Sequence, residues 1–187
     1  MVIMIYKLFI YGLPGAGKDT QMAAISEALG IPQFSAGQIM REEAAAGTEL
    51  GERVRPYLET GTMAPGAVAT GIFRDKLSSA ELQASGYIVN GYPRTLESFQ
   101  TYLTYDRPTA LIHISVPDDV ARTRLLGRAR ADDTPELIET RIKRYHEMEK
   151  KVCEYAKVST DIPVIEVDGL LPQQEITKLI LDRLKVA

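Results

Sequence analysis

The 187-residue sequence predicts an α/β fold in which helices cover both faces of a five-stranded parallel sheet. Two observations lead to this prediction. Five short apolar runs alternate with longer segments whose apolar residues have helical spacing, an order that is typical of a parallel sheet between two helical layers. The first run also leads directly into a glycine-rich loop that opens a helix. A chain of this length is sufficient for one domain with a substantial core.

The predicted strands are runs of apolar, largely β-branched and aromatic residues, bounded by glycine, proline or polar residues. They cover residues 7–11, 33–34, 87–90, 110–116 and 164–167. His113 lies within the fourth run, so we expect it to be packed in the core.

The predicted helices follow these strands and cover residues 18–29, 37–45, 48–59, 67–77, 95–103, 120–127, 135–156 and 172–184. Gly30 ends the first helix, and Pro117 with Asp118 begins the sixth. His146 lies on the charged seventh helix, where we expect it to be solvated. The stretch 36–65 interrupts the alternation of strands and helices, and we expect it to form a small helical subdomain.

Composition excludes several classes of function. The 22 basic and 25 acidic residues leave a net charge of −3, which argues against a general nucleic-acid binder. Cys153 is the single cysteine, so no internal disulfide can form, and we expect a reducing, cytoplasmic location. The first ten residues lack the features of a signal peptide, and no run approaches the roughly 20 apolar residues of a membrane span. We therefore expect no nucleic-acid partner and no membrane association.

The strongest local motif is GLPGAGKDT at residues 12–20, which follows a strand and opens a helix as a phosphate-binding P-loop does. Glycines allow backbone N–H groups to surround phosphate oxygens, the helix N-terminus adds partial positive charge, and Lys18 reaches the outer phosphates. The general pattern has a hydroxyl residue directly after the lysine. Here that position is Asp19, and the hydroxyl comes one residue later at Thr20.

Further arginine-containing segments follow the second and third strands, at the edge of the sheet where ligands bind. Arg41 lies in SAGQIMR at residues 35–41, and Arg94 lies in GYPRT at residues 91–95. A second series of arginines comes later in the chain and comprises Arg124, Arg128, Arg130 and Arg141.

Arg124 and Arg128 are one helical turn apart, a spacing at which like charges destabilise a helix by about 0.2–0.5 kcal/mol. A bound polyphosphate would remove this repulsion. The alternative is a solvated basic face, paired with nearby aspartates such as Asp118. We prefer that simpler interpretation for Arg122, Lys143 and Arg144.

Taken together, these motifs resemble the adenylate kinase family of nucleoside monophosphate kinases over essentially the whole chain. The family's G-x-P-G-x-G-K-G-T-Q matches residues 12–21, its S-T-G-D-x-x-R matches residues 35–41, and its D-G-F-P-R-T matches residues 90–95. The R-x-D-D before a long helix matches residues 130–133, and the arginine within that helix is Arg141. A P-loop kinase of another small metabolite would share the loop without both the Arg41 and Arg94 segments.

The resemblance implies the three-layer P-loop kinase fold over residues 1–187, with residues 36–65 as the nucleoside-monophosphate-binding subdomain. It also implies a vestigial lid at residues 128–131, because Ala129 alone separates Arg128 from Arg130. We hypothesise that such a short lid holds the donor base loosely, so that the enzyme discriminates poorly between nucleoside triphosphates.

The implied reaction is reversible transfer of a phosphoryl group from ATP to AMP, with Mg²⁺ accompanying ATP. The implied catalytic residues are Lys18, Arg94, Arg124, Arg130 and Arg141. The implied ATP-binding residues are Gly12, Gly15, Ala16, Gly17, Lys18, Asp19, Thr20, Arg124 and Arg128. The implied AMP-binding residues are Ala36, Arg41, Met63, Ala64, Gly91, Arg94, Ser98, Arg130 and Arg141.

Four positions depart from the family pattern. Asn90 replaces an aspartate that orients magnesium-bound water, and Asp19 replaces a loop glycine. We hypothesise that Mg²⁺, held through phosphates and water, is assisted by Asp19 and Asn90, with Asp19 compensating for the lost carboxylate. Ala36 stands where adenylate kinases usually have threonine, and Ser98 where they usually have an adenine-reading glutamine.

These departures leave alternatives open. AMP is the expected acceptor, but the Ser-Ala-Gly at residues 35–37 resembles the UMP/CMP kinase branch. A non-catalytic nucleotide-binding relative is a second alternative, motivated by Asp19, Gln38 and Asn90. Small nucleotides are the expected ligands, and the chain is expected to be a monomer or a symmetric homo-oligomer.

Overall fold

Five parallel strands form one sheet in the computed structural model, which describes residues 4–60, 63–128 and 134–185. The strands are β1 (Lys7–Gly12), β2 (Gln33–Ser35), β3 (Tyr87–Asn90), β4 (Ala110–Ser115) and β5 (Val164–Asp168). Their spatial order is β2-β3-β1-β4-β5. All four pairings are parallel, so the predicted five-stranded parallel sheet is confirmed.

Helices connect these strands, and the strands and helices follow one another in the predicted order. The helices are α1 (Lys18–Leu29), α2 (Ala36–Ala46), α3 (Glu49–Thr60), α4 (Gly66–Leu77), α5 (Ala80–Ser85), α6 (Leu96–Leu103), α7 (Asp118–Arg128), α8 (Pro135–Arg144), α9 (Lys150–Ser159) and α10 (Gln173–Leu184). The sequence prediction missed α5, because six residues are too few to show helical spacing.

The predicted continuous helix over residues 135–156 was also wrong in one respect. A π-helical turn, Tyr145–Glu149, separates α8 from α9. Hydrophobic spacing does not reveal such a turn, since it inserts one extra residue into an otherwise regular apolar face. The turn contacts β1, the strand that leads into the glycine-rich loop.

Alternate residues of β1 build the two halves of the core. Leu8 and Ile10 pack with apolar residues of α1, α7, α8 and α10 on one face of the sheet. Phe9 and Tyr11 pack on the other face with apolar residues of α2, α3, α4, α6 and α9. Helices therefore cover both faces, which confirms the predicted three-layer arrangement.

The crevice of this fold lies between β1 and β3, because the connection after β1 leads towards β2 and the connection after β3 leads towards β4 on the opposite side. β1 pairs with β3 on one side and with β4 on the other, so the connections that follow β1 and β3 diverge at the carboxyl edge. Ligands of open α/β sheets bind at such a point. The loops after β1, β2 and β3 all open onto it.

Helices α2 and α3 pack against each other between β2 and α4. An ideal Cβ at Gly51 would lie 2.1 Å from the backbone oxygen of Glu43, so the two helix backbones are in close contact. Apolar residues of the pair, including Ile39 and Val54, join the core of the main sheet.

His113 is buried in the core as predicted, with its Nε2 2.5 Å from the hydroxyl oxygen of Tyr145 and its Nδ1 3.3 Å from Oε1 of Glu166. His146 is partly exposed as expected, but its Nε2 also lies 2.9 Å from Oδ1 of Asp118. Burial raises the pKa of the Cys153 thiol to about 12, which makes it a poor nucleophile. The described part of the chain contains no helix with the length and apolar character of a membrane span.

Candidate active site

The P-loop wraps tightly in front of α1. Gly12, Gly15 and Gly17 all have positive φ values, of 151°, 83° and 93°. An ideal Cβ at Gly12 would lie 2.5 Å from the backbone oxygen of Ile114, and one at Gly15 would lie 2.9 Å from that of Ala121. The loop can therefore take this path only with glycine at these positions.

Lys18 lies at the first position of α1, and its side chain bends back over the loop. Its Nζ donates hydrogen bonds to the backbone oxygens of Gly12 and Leu13, at 2.7 Å and 3.0 Å. Burial lowers the pKa of Lys18, while the carboxylates of Glu149 and Asp19 oppose that shift. The ammonium group thus faces the cavity in front of the loop with carboxylates nearby.

This cavity has a volume of about 520 Å³ and is strongly cationic. Its walls include the basic side chains of Lys18, Arg94, Arg124, Arg128, Arg141 and Arg144, and the acidic side chains of Asp19 and Glu149. Six cations against two carboxylates favour a polyanion, and the P-loop beside them is suited to phosphate groups.

A second cavity of about 450 Å³ opens between α2, α3, α4 and the loop after β3. Its walls include the predicted acceptor residues Ala36, Arg41, Met63, Ala64, Gly91, Arg94, Ser98 and Arg141. The two cavities share Gly91, Arg94, Arg141 and Arg144, so a ligand in one would meet a ligand in the other at these residues.

Arg94 is fixed at this junction by its own loop. Its Nε donates a hydrogen bond to the backbone oxygen of Gly91 at 2.8 Å, and the Tyr11 hydroxyl donates one to the backbone oxygen of Pro93 at 3.0 Å. Thr95 caps α6 by accepting from the backbone N–H of Ser98 at 3.1 Å, and its hydroxyl donates to the Ser98 hydroxyl. The cap thereby sets the place of Ser98 in the second cavity.

A third cavity of about 280 Å³ lies beside the P-loop and under the loop that follows β5. Arg124 joins these loops by donating to the backbone oxygens of Gly169 and Gly15, at 3.0 Å and 3.4 Å. Gln21 is buried at its base and donates to the backbone oxygen of Gln173 at 2.9 Å. Sequence reasoning missed Gly169 and Gln173 as site residues, because they follow the last strand in a segment that has no phosphate-binding motif.

The two unusual residues of the phosphate site are in direct contact. The side-chain amide of Asn90, at the end of β3, donates a hydrogen bond of 2.7 Å to Oδ1 of Asp19. Both residues line the first cavity together with Thr20. The carboxylate of Asp19, which replaces a loop glycine of the family pattern, therefore lies beside Asn90, which replaces the family's aspartate.

Several remaining basic residues have clear positions. Arg122 pairs with Glu139, and Lys143 is exposed with Glu147 3.7 Å away, so their interpretation as solvated residues is confirmed. The same interpretation of Arg144 was wrong, because Arg144 lies in the walls of both main cavities. Its spacing of three residues from Arg141 was the signal that places both on one helix face.

Arg130 and most of the proposed lid at 128–131 lie outside the described residues, whereas Arg128 ends α7 in the first cavity. Glu149 was not predicted at all. It reaches the first cavity from the π-helical turn, where its side chain is 13% exposed. Nothing in the charged sequence around Glu149 distinguishes it from its solvated neighbours.

Comparison with known proteins identifies the family of this arrangement. The sequence model described as Adenylate kinase matches residues 10–161. The chain belongs to the adenylate kinase family. It is 35% identical to the adenylate kinase of Leptospira biflexa, an alignment that covers 94% of this chain and 97% of that protein.

Two other adenylate kinases are similarly related. That of Mycolicibacterium smegmatis is 36% identical over 89% of this chain and 93% of its own. That of Mycobacterium tuberculosis is 36% identical over 80% of this chain and 84% of its own. This member of the adenylate kinase family is accordingly a phosphotransferase with nucleoside monophosphate kinase activity.

Proposed function

We propose that this kinase transfers a phosphoryl group from ATP to AMP and gives two molecules of ADP. The observation that carries the proposal is the junction of two cavities at Arg94 and Arg141, one in front of the P-loop and one beside α2 and α3. Phosphoryl transfer depends on alignment of donor and acceptor and on positive charge at the transferring group, and this junction supplies both.

The donor triphosphate is assigned to the first cavity. In this proposal Gly12, Gly15, Ala16, Gly17, Lys18, Asp19 and Thr20 surround its phosphates, and Arg124 and Arg128 face them from α7. The adjoining third cavity, beside Gly169 and Gln21, is suited to the donor base because it continues from the P-loop into a partly apolar cleft.

The acceptor monophosphate is assigned to the second cavity. In this proposal Arg41 and Arg94 bind its phosphate, while its base and sugar lie near Ala36, Met63, Ala64, Gly91 and Ser98. Its phosphate would then point towards the donor, since Arg94 and Arg141 belong to both cavities.

The reaction needs no general base from the protein. Lys18, Arg94, Arg124 and Arg141 are proposed to stabilise charge on the transferring group, together with Arg130, which lies outside the described residues. Arginine suits this role because its planar fork binds phosphate oxygens through two parallel hydrogen bonds.

Mg²⁺ is the proposed companion of ATP, and the residues at the phosphate site fit it. Asp19, Thr20 and Asn90 bring a carboxylate, a hydroxyl and an amide oxygen to the first cavity, and Mg²⁺ prefers oxygen ligands. No group of three acidic, histidine or cysteine side chains suited to a metal occurs in the described part of the chain, so contact through phosphates and water is proposed. When bound, Mg²⁺ neutralises charge on the phosphate oxygens.

A UMP/CMP kinase is the second candidate. Ala36 and Ser98 are small residues in the wall of the acceptor cavity, and the adenine-reading glutamine expected at the second position is absent. The backbone N–H of Ser98 donates to Thr95, so the polar group that Ser98 presents to the acceptor cavity is its short hydroxyl. AMP remains the favoured acceptor because the loop at 90–95 has the Arg-Thr ending of adenylate kinases.

A coupled turnover assay with Mg·ATP and each of AMP, CMP, UMP and GMP tests the proposal. We expect ADP production to be fastest with AMP. Faster turnover with CMP or UMP would assign the chain to the pyrimidine-specific branch. No turnover with any acceptor would contradict the proposal and favour a non-catalytic nucleotide-binding relative.

Nucleotides are the ligands of this proposal, without a nucleic-acid partner, in a reducing cytoplasmic compartment. The balanced charge and the single, buried Cys153 support these two points. The protein is proposed to act as a monomer or a symmetric homo-oligomer.

A further inference from the structure

Glu149 places a carboxylate inside a cavity whose other features favour anionic ligands. Its Oε1 lies 3.9 Å from Nε of Arg94, and its side chain is 13% exposed against 38% for that of Arg94. The second carboxylate of the cavity, Asp19, accepts a hydrogen bond from Asn90. Glu149 is the carboxylate of the first cavity that lies beside Arg94, a residue that lines both main cavities.

The π-helical turn holds Glu149 in this place. Tyr145, at the other end of the turn, is buried, and its hydroxyl oxygen lies 2.5 Å from Nε2 of His113 on β4. The turn is thus anchored to the sheet beneath the site. Since π-helical turns change the direction of the side chains that follow, they are frequent at functional sites.

The contact between Glu149 and Arg94 is electrostatic and is not a close hydrogen bond. At 3.9 Å it exceeds the usual length of an N–H···O bond, whereas Nε of Arg94 already donates to the backbone oxygen of Gly91 at 2.8 Å. Such a contact can be given up without leaving a buried donor unpaired. Arg94 can therefore exchange Glu149 for another anion at little structural cost.

The need for such an anion follows from the charges around it. Six basic side chains line the first cavity, and in the absence of phosphate their mutual repulsion destabilises the folded site. Glu149 and Asp19 are also the two carboxylates that favour the charged form of Lys18 against the effect of burial. A phosphate group at the same place would itself be repelled by Glu149.

We propose that Glu149 is an internal counter-anion of the phosphate site, which holds Arg94 and Lys18 when no phosphate is bound and weakens phosphate binding when one is. It is a positioning residue, since it acts on the substrate through these two cations. On the proposed function, the consequence is easier release of nucleotide products from the junction.

The test compares Glu149→Gln with Glu147→Gln. The control removes the same charge from the same π-helical turn, but Glu147 is exposed and lies 3.7 Å from Lys143 on the surface. Calorimetry with pyrophosphate in EDTA measures phosphate affinity without nucleotide or metal. We expect Glu149→Gln to bind pyrophosphate about tenfold more tightly than the wild type, which corresponds to about 1.4 kcal/mol, and Glu147→Gln to bind it unchanged.

Equal or weaker pyrophosphate binding by Glu149→Gln, including no measurable binding by either protein, would overturn the proposal. Glu149→Asp retains the charge and should bind pyrophosphate as the wild type does. If the aspartate variant also bound more tightly, packing and not charge would be responsible, and the inference would be wrong. This second variant also provides a reading if the glutamine variant folds poorly.

Turnover measurements separate this proposal from the proposed function. With a nucleoside monophosphate that the wild type phosphorylates, Glu149→Gln should lower KM for the acceptor without raising kcat. If the wild type phosphorylates none of the four monophosphates, the proposed function fails, while the pyrophosphate affinities still decide the role of Glu149.

Discussion

At the scale of single residues, the phosphate site combines residues of very different predictability. Lys18 and Arg94 belong to sequence motifs that predict phosphate binding, and both line the first cavity. Asp19 and Asn90 were noticed as departures, and the structure brings them into contact at 2.7 Å. Two predictions at this scale concern the arginine and the displaced carboxylate.

Arg94→Lys should reduce kcat/KM for the acceptor strongly, because lysine keeps the charge but loses the planar fork. A transition-state arginine contributes about 10³–10⁵ in rate in related chemistry, so we expect a loss of at least about 100-fold. Steady-state kinetics with varied acceptor measures it. Arg107→Lys, at an exposed ion pair with Asp161, is the control and should leave kcat/KM unchanged. A loss below tenfold for Arg94→Lys would contradict the assignment.

Asp19→Gly should weaken Mg²⁺ binding and raise the Mg²⁺ concentration that turnover needs, because Asp19 is proposed to supply the carboxylate that is missing at residue 90. We expect a rise of about tenfold in the Mg²⁺ concentration that gives half-maximal rate, equal to about 1.4 kcal/mol. Adding Asn90→Asp to this variant should restore the original dependence, since it returns a carboxylate to the same place. Unchanged Mg²⁺ dependence and turnover in the single variant would refute the compensation hypothesis.

At the scale of secondary-structure elements, close contacts fix how the helices present their residues to the site. The α2–α3 pair depends on Gly51, and the π-helical turn depends on the contact between Tyr145 and the buried His113. The residues that make these two contacts are not themselves proposed to bind phosphate. Each gives a prediction about stability.

Gly51→Ala should destabilise the protein by about 1–3 kcal/mol, the usual cost of forcing extra volume into a packed position. Its Cβ would lie 2.1 Å from the backbone oxygen of Glu43, so α2 and α3 would have to separate. Urea unfolding measures the change. Gly127→Ala in α7 is the matched control, because no described atom outside its own helical turn lies within 4 Å of its ideal Cβ. Equal stability of the two variants would show that α2 and α3 are not closely packed.

His113 should make the free energy of unfolding fall as pH decreases. Burial lowers its pKa below the usual value of about 6.5, with the carboxylate of Glu166 opposing the shift. The unfolded chain therefore binds the proton first, so stability decreases as pH falls below about 6.5 and this effect ends below the folded-state pKa.

The check is urea unfolding at several pH values for the wild type and His113→Gln. The variant should lose less stability between pH 7 and pH 5, although it is less stable at pH 7. Carboxylates that do not contact His113 contribute equally to both proteins and cancel in the comparison, whereas Glu166 is coupled to His113 and is part of its effect. Parallel pH profiles would contradict the assignment to His113.

At the scale of the whole molecule, the sheet assembles the site from segments that are far apart in sequence. The P-loop follows β1, Arg94 follows β3, Arg124 and Arg128 lie on α7, and Arg141 lies on α8. The third cavity adds the loop after β5. One prediction depends on all these parts, because the donor nucleotide would extend from the phosphates to the cleft under β5.

The enzyme should use ATP, GTP, CTP and UTP with kcat/KM values within about tenfold of one another, a difference of 1.4 kcal/mol. The reason is that Ala129 alone separates Arg128 from Arg130, so little chain is available to enclose the donor base. The test measures initial rates with each triphosphate at fixed acceptor. A preference for ATP of 100-fold or more would contradict the prediction and indicate that the third cavity reads the base.

Local sequence patterns were sufficient to predict the sheet, nearly all the helices, and most of the residues that are proposed to bind phosphate. These features rest on local rules: apolar spacing selects strands and helices, and a P-loop needs its glycines and its lysine in a fixed order. Four features could be seen only in the three-dimensional structure: the place of Glu149, the position of Arg144 in the cavity walls, the contact between Asp19 and Asn90, and the cleft beside Gly169. These features depend on which side chains meet across the sheet, and a charged residue in a cavity has the same local sequence as one in water.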